Sequence, residues 1–150
     1  MRVAILAGGL GTRLHEETVT IPKAMVEIGG QPIIWHIMKY YSNFGFNEFV
    51  IALGYKGECI RRWIREHACP TNFIHKGETD YYEVTFSQGG KNKWIVHLVD
   101  TGEKTLTGGR IKRLAPLLSD QPFMLTWCDG LADVNIDLLL KFHHSHGRLA

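Results

Sequence analysis

The sequence predicts an α/β domain with a mostly parallel, mixed central sheet flanked by helices, plus a β-hairpin insertion. Three observations carry that expectation. Short apolar runs alternate with segments of helical periodicity along most of the 150 residues. Glycines close the runs, at Gly8-Gly9, Gly29-Gly30, Gly54 and Gly130. Between 72 and 99 the helical period gives way to two-residue alternation around Gly89-Gly90, the mark of a hairpin or meander.

The elements follow in order. Arg2 to Ala7 is apolar and partly β-branched, so it reads as a buried strand entering a glycine loop. Met25 to Ile28 reads as a short extended piece stopped by Gly29-Gly30. Pro32 suits a first helical turn, and Ile34, Ile37, Met38 and Tyr41 keep the i, i+3, i+4, i+7 spacing, which predicts a helix over 32–44 ended by Gly45. Asn47 to Leu53 is the next strand and Lys56 to His67 the next helix, with Ile60, Trp63 and Ile64 on one face. After the meander, Thr107 to Leu118 predicts a helix broken near Pro116. Phe123 to Trp127 reads as another buried strand. Asn135 to His146 reads as a final helix with Asn135 as its N-cap.

Composition excludes several classes. A chain of this length buries roughly 70% of its unfolded surface, so a core forms without staples and one domain is the default. Net charge is +2, which gives no electrostatic footprint for nucleic acid or an acidic membrane. Cys59, Cys69 and Cys128 are far apart and include no CxxC pair, which argues against a disulfide framework and a zinc site. No apolar run approaches the roughly 20 residues of a membrane span, and the N-terminus lacks signal-peptide form. The expected location is the cytoplasm.

The chemistry concentrates after the first strand. Ligands of open α/β sheets collect outside the carboxyl ends of the strands. Leu6-Ala7-Gly8-Gly9-Leu10-Gly11-Thr12-Arg13 occupies that place. Glycines let backbone N–H groups approach anionic oxygens, and Arg13 adds a fork of donors suited to phosphate. Lys23 adds a compact positive charge. Together they describe a triphosphate cradle. A Walker A loop is excluded because no Gly-Lys-Ser/Thr follows, and the dinucleotide pattern fails because Leu14 stands where its third glycine belongs. A plain strand-end turn built on glycines is the alternative for the bare motif.

The run LAGGLGTRL followed by PKAMVEIGGQPI resembles the opening of sugar-1-phosphate nucleotidyltransferases. Trp35-His-Ile-Met38, Gly54-Tyr-Lys-Gly57, Leu98-Val-Asp-Thr-Gly102, Thr107-Gly-Gly-Arg110 and Asp129-Gly130 narrow the likeness to the subgroup that transfers a cytidylyl group to glucose 1-phosphate. The resemblance runs across nearly the whole chain. It implies a Rossmann-like nucleotidyltransferase fold and a reaction that joins CTP to α-D-glucose 1-phosphate, giving CDP-glucose and pyrophosphate. It also implies Mg2+ as cofactor and a homo-oligomeric state, with no nucleic-acid or membrane partner.

Carried over residue by residue, the resemblance makes Arg13 and Lys23 catalytic and Asp129 the metal ligand. Nucleotide and substrate contacts fall on Leu6 to Arg13, Lys23, Thr105, Arg110 and Cys128. Arg110 is expected to face the O2–N3 edge of cytosine with its donor fork, the alternative being a helix start facing solvent. Two departures stand out. The subgroup's Lys-Pro-Lys-Pro is here Ile21-Pro22-Lys23-Ala24, and the glycine before the metal aspartate is here Cys128. Asp129-Gly130 alone would read as a common turn. His143-His144 with His146, and Arg61-Arg62 with Arg65-Glu66, read as solvated helix faces. Trp35, Met38 and Tyr41 read as core. Family enzymes continue past this point, so 1–150 is expected to be a nucleotide-binding nucleotidyltransferase domain cut before its C-terminal sugar-binding part. Three readings stay open: the cytidylyltransferase, a relative using another nucleotide or sugar, and a non-catalytic nucleotide-binding module.

Overall fold

Five consecutive buried residues, Val3–Ala7 (β1), have no solvent face, so this strand has to be covered on both sides. The computed structural model describes residues 1–9, 21–67, 73–76, 79–86, 92–119 and 121–150, with backbone alone across 73–76, 79–86 and 92. In it β1 lies between two parallel neighbours, Glu48–Leu53 (β4) and Met124–Trp127 (β8). Asn92–Asp100 (β7) runs parallel to β4 on its far side. Thr79–Phe86 (β6) and Phe73–Lys76 (β5) continue outward antiparallel. The sheet order is therefore β5-β6-β7-β4-β1-β8. The meander expected over 72–99 is present, and it is no appendage: its last strand is an inner strand of the main sheet.

Alternation along the strands sorts the core into two halves. Val3, Ile5 and Ala7 of β1, Phe49, Ile51 and Leu53 of β4, and Trp94, Val96 and Leu98 of β7 point to one face. There they meet Ile34, Ile37 and Met38 of Ile33–Asn43 (α1) and Ile60 and Ile64 of Gly57–His67 (α2). The Phe49 and Trp94 rings cross edge-on at 5.8 Å. Ala4, Leu6, Val50, Ala52 and Val99 point to the other face and meet Leu114 and Leu118 of Thr107–Leu118 (α3). Each large side chain buried here stabilises the domain by about 1.5–3 kcal/mol. Trp35 and Tyr41 pack against the first half and Met38 is fully buried, as core readings require.

Several boundaries differ from expectation for local reasons. Residues Lys23–Met25 form a 3-10 turn, and only Glu27–Ile28 (β2) is extended, paired with Gln31–Pro32 (β3). That pairing holds Pro32 in an extended conformation, so it precedes α1 instead of opening it. Gly45, at φ +84°, ends α1 in the left-handed region that favours glycine. The expected break at Pro116 does not occur. Lys112 and Pro116 lie on the solvent side of α3, so the carbonyl left without its helical donor faces water. The strand expected to be buried at 123–127 is instead the sheet's edge, with Leu125 39% and Trp127 56% exposed.

Ile136–His146 (α4) closes the described chain. Asn135 Oδ1 accepts from the Leu138 N–H at 3.0 Å, the expected N-cap. Asn135→Ala should lower stability by about 1 kcal/mol, and Asn135→Ser should restore most of it. Urea denaturation of the three proteins checks this; equal midpoints would remove the cap from the account.

Candidate active site

The chain lays down β1, β4 and β7 in one direction across the sheet, then returns to place β8 on the other side of β1. The reversal leaves a crevice between the carboxyl ends of β1 and β8, where open α/β sheets take ligands. A cleft of about 340 Å³ lies there. Its walls are Leu6, Ala7, Gly8 and Gly9 after β1, Pro22, Lys23 and Ala24 of the 3-10 turn, Thr105, Leu106, Thr107 and Arg110 at the start of α3, and Trp127, Cys128 and Asp129 after β8. Leu10, Gly11, Thr12 and Arg13 lie outside the described residues.

Lys23 and Asp129, 106 positions apart, meet in the cleft with Nζ 3.2 Å from Oδ2. The turn that presents Lys23 is closed by Met25 N–H donating to Pro22 C=O at 2.8 Å and Val26 N–H to Lys23 C=O at 3.1 Å. Ala24 between them is buried in the core. Both charged side chains are partly exposed, so the pair contributes no more than about 1 kcal/mol. A phosphate can therefore claim the ammonium, and a cation the carboxylate, at little cost.

Cys128 is buried and extends the β1–β8 ladder, its N–H donating to Leu6 C=O at 3.3 Å. Burial, reinforced by the neighbouring Asp129 charge, pushes its thiol up to about 12. It stays protonated at neutral pH and is a poor metal ligand. Among the described residues no group of three or more His, Cys, Asp or Glu side chains is poised for a metal. Among the described residues of the cleft, Asp129 offers the one open hard carboxylate. That donor set fits Mg2+, which is held through one or two carboxylates and completes its shell with water and substrate oxygens.

Arg110 neither faces solvent nor offers its fork to the cleft. It is 5% exposed, and its guanidinium turns inward. Nη1 donates to Leu53 C=O at 3.0 Å and to Thr101 Oγ1 at 2.7 Å. Nη2 donates to Gly8 C=O at 2.8 Å and Glu103 C=O at 3.1 Å. Burial, then the charge of Arg113, lowers its pKa, and Asp100 opposes the shift. Thr105 lines the cleft with its hydroxyl engaged by Arg113 Nη1 at 2.7 Å. On α4 the His143 ring contacts those of His144 and His146, and none of the three lines the cleft.

The sequence reading assigned no role to Thr101, Arg113 or Trp127. Thr101 is fully buried and its hydroxyl donates to Leu53 C=O at 2.6 Å. Arg113 also donates to Thr101 C=O. The one signal in the sequence was the Asp100-Thr101-Gly102 turn after an apolar run, which marks a strand end without naming its neighbours.

The Nucleotidyl transferase family matches residues 2–88. The chain belongs to that family. Glucose-1-phosphate cytidylyltransferase of Salmonella typhimurium is 44% identical over 155 residues, covering 100% of this chain and 58% of that one. A Bacillus subtilis protein named as a probable glucose-1-phosphate cytidylyltransferase is 41% identical over 150 residues, with the same two coverages. The chain thus spans 58% of the length of these curated relatives. Among solved structures, HddC from Yersinia pseudotuberculosis superposes with a TM-score of 0.68 at 25% identity, over 95% of this chain and 53% of that one. The Rossmann-like fold implied by the resemblance is the fold of this chain.

The buried thiol generates a direct prediction. At pH 8 iodoacetamide should leave Cys128 unmodified in the native protein and label it after denaturation. Peptide mass spectrometry reads the result, and rapid native labelling would contradict a buried, protonated thiol.

Proposed function

We propose that this chain carries the nucleotide- and phosphate-holding part of an enzyme that transfers a cytidylyl group from CTP to α-D-glucose 1-phosphate, releasing pyrophosphate. The observation that carries the reading is the convergence of Gly8–Gly9, Lys23 and Asp129 on one cleft at the sheet's reversal point. Identity of 44% to a glucose-1-phosphate cytidylyltransferase supports the choice of base and sugar. In this reading 1–150 is a nucleotide-binding domain, and further sugar contacts belong to the part of the relatives' length that the alignment leaves out. A cytoplasmic location and a homo-oligomeric state belong to the same proposal. No described helix is long and apolar enough to cross a membrane.

The reaction asks the protein for positioning and charge, since the sugar phosphate oxygen attacks the α-phosphorus in line. Gly8 and Gly9 bring backbone N–H groups to the phosphates without intervening side chains. Lys23 places its ammonium against charge that develops on the phosphoryl oxygens and the departing pyrophosphate. Asp129 and the nucleotide's own oxygens would hold Mg2+, which neutralises phosphate charge when bound. Pro22 and Ala24, both buried, keep Lys23 at the cleft and prevent it from relaxing into solvent.

Two substitutions test the roles in the full-length protein. Lys23→Ala should lower turnover on the order of 10²-fold or more while the thermal midpoint stays near wild type. Asp129→Asn should raise the Mg2+ concentration needed for half-maximal rate, because the neutral amide is a weaker ligand for a hard cation. CDP-glucose formation from CTP and glucose 1-phosphate is the assay. Wild-type kinetics in the lysine variant, or an unchanged magnesium titration in the asparagine variant, would count against the assigned roles.

A further inference from the structure

We propose that Arg110 is a positioning residue for this site: resting on the reading of the cleft as a phosphate site, its guanidinium sets the Gly8–Gly9 backbone from beneath. The four end contacts come from three separate pieces of chain. Gly8 C=O follows β1, Leu53 C=O ends β4, Thr101 Oγ1 follows β7, and Glu103 C=O lies on the way to α3. Moving any one of these pieces pulls on the same rigid fork.

Two glycines record the space the fork takes. A Cβ on Gly8 would fall inside the Arg110 guanidinium, with Nη1, Cζ and Nε all within reach. A Cβ on Gly54 would fall against Nη1 as well and lie 2.7 Å from Gly8 C=O. Neither residue is among the positive-φ glycines, so backbone conformation does not demand glycine at either place. The volume of a tethered guanidinium does. An ordinary arginine end swings aside for a methyl group; this one would have to release its hydrogen bonds to do so.

The charge reinforces the geometry. Among the described residues no carboxylate is in ion-pair contact with Arg110, so its positive charge is held by carbonyl and hydroxyl dipoles. A cation on the cleft wall with no carboxylate in direct contact favours an anion in the cleft. Arg110 thus acts on phosphate through the Gly8–Gly9 backbone and through its field, without reading the base.

Calorimetric titration of the full-length protein with inorganic tripolyphosphate, CTP and UTP tests this. Loss of charge-assisted hydrogen bonds commonly weakens an interaction by about 10- to 100-fold. Arg110→Ala should weaken all three ligands by a common factor in that range and leave the CTP-to-UTP ratio within about 2-fold of wild type. Arg110→Lys, which keeps the charge but not the fork, should also lose at least about 10-fold, and it decides alone if the alanine variant does not fold. Gly8→Ala should be severe in wild type but cost less than about 3-fold on top of Arg110→Ala, because the space has been vacated. Unchanged tripolyphosphate affinity in both Arg110 variants, a loss confined to CTP, or equal cost of Gly8→Ala in both backgrounds would overturn the proposal. Absence of tripolyphosphate binding by the wild type would overturn the phosphate reading of the cleft itself, and the positioning role with it.

Discussion

Three parallel strands end side by side at one end of the sheet, and carbonyls at and just past their ends crowd together. The guanidinium of Arg110 supplies donors there. Leu53 C=O accepts from Thr101 N–H at 3.0 Å, from the Thr101 hydroxyl and from Arg110, while Gly8 C=O accepts from Tyr55 N–H at 3.2 Å and from Arg110. Burying a cation costs several kcal/mol unless polar groups surround it. Here the crowded carbonyls stabilise the cation, and the cation stabilises the crowded carbonyls. The strand ends are thereby locked at fixed relative heights. The cleft inherits that rigidity on its β1 and α3 sides.

The opposite side of the cleft follows a looser rule. Lys23 and Asp129 are partly exposed and neutralise each other across 3.2 Å. Their attraction is small enough to be replaced by a ligand's charges, and their opposite signs suit the two halves of a metal-complexed phosphate. A rigid floor and an exchangeable charge pair divide the work. The first fixes where oxygens sit, and the second adapts as charge arrives and departs. Cys128 lies at the seam between them, buried and uncharged, so it shapes the wall without competing for the cation.

The parts legible in the sequence were those governed by local rules. The apolar runs of β1 and β4, the spacing of Ile34, Ile37 and Met38, the Gly45 stop and the Asn135 cap each depend on neighbours within about one turn, and each appears where the pattern put it. Family likeness supplied the pairing of Lys23 with Asp129 at one site, which no local rule can supply across 106 positions. What stayed hidden was set by tertiary context. Burial of β8 depended on whether another strand lay beyond it, and none does among the described residues. Continuity of α3 through Pro116 depended on which side of the helix met water. The direction of Arg110 depended on three strand ends that are widely separated in the chain.

That last point bears on how the base is chosen. A donor fork aimed at the O2–N3 edge of cytosine would discriminate against uracil by about 1–3 kcal/mol. To aim there, the Arg110 end nitrogens would have to leave Leu53, Thr101, Gly8 and Glu103, and each hydrogen bond involving a charged group contributes about 1.5–3 kcal/mol. Giving up even two of them offsets the whole gain. Under the proposed function, selection of the base therefore falls to groups still able to turn toward a ligand. Thr105 is one, since its hydroxyl presents donor or acceptor by rotation and its present partner Arg113 lies near the surface. Trp127, more than half exposed on the cleft wall, offers an aromatic face to any base and so adds affinity without choice. Backbone groups around Gly8 and Gly9 carry fixed polarity, and the fork beneath them keeps that polarity in place. In this division Arg110 governs base selection only indirectly, by holding still the frame against which the discriminating groups act.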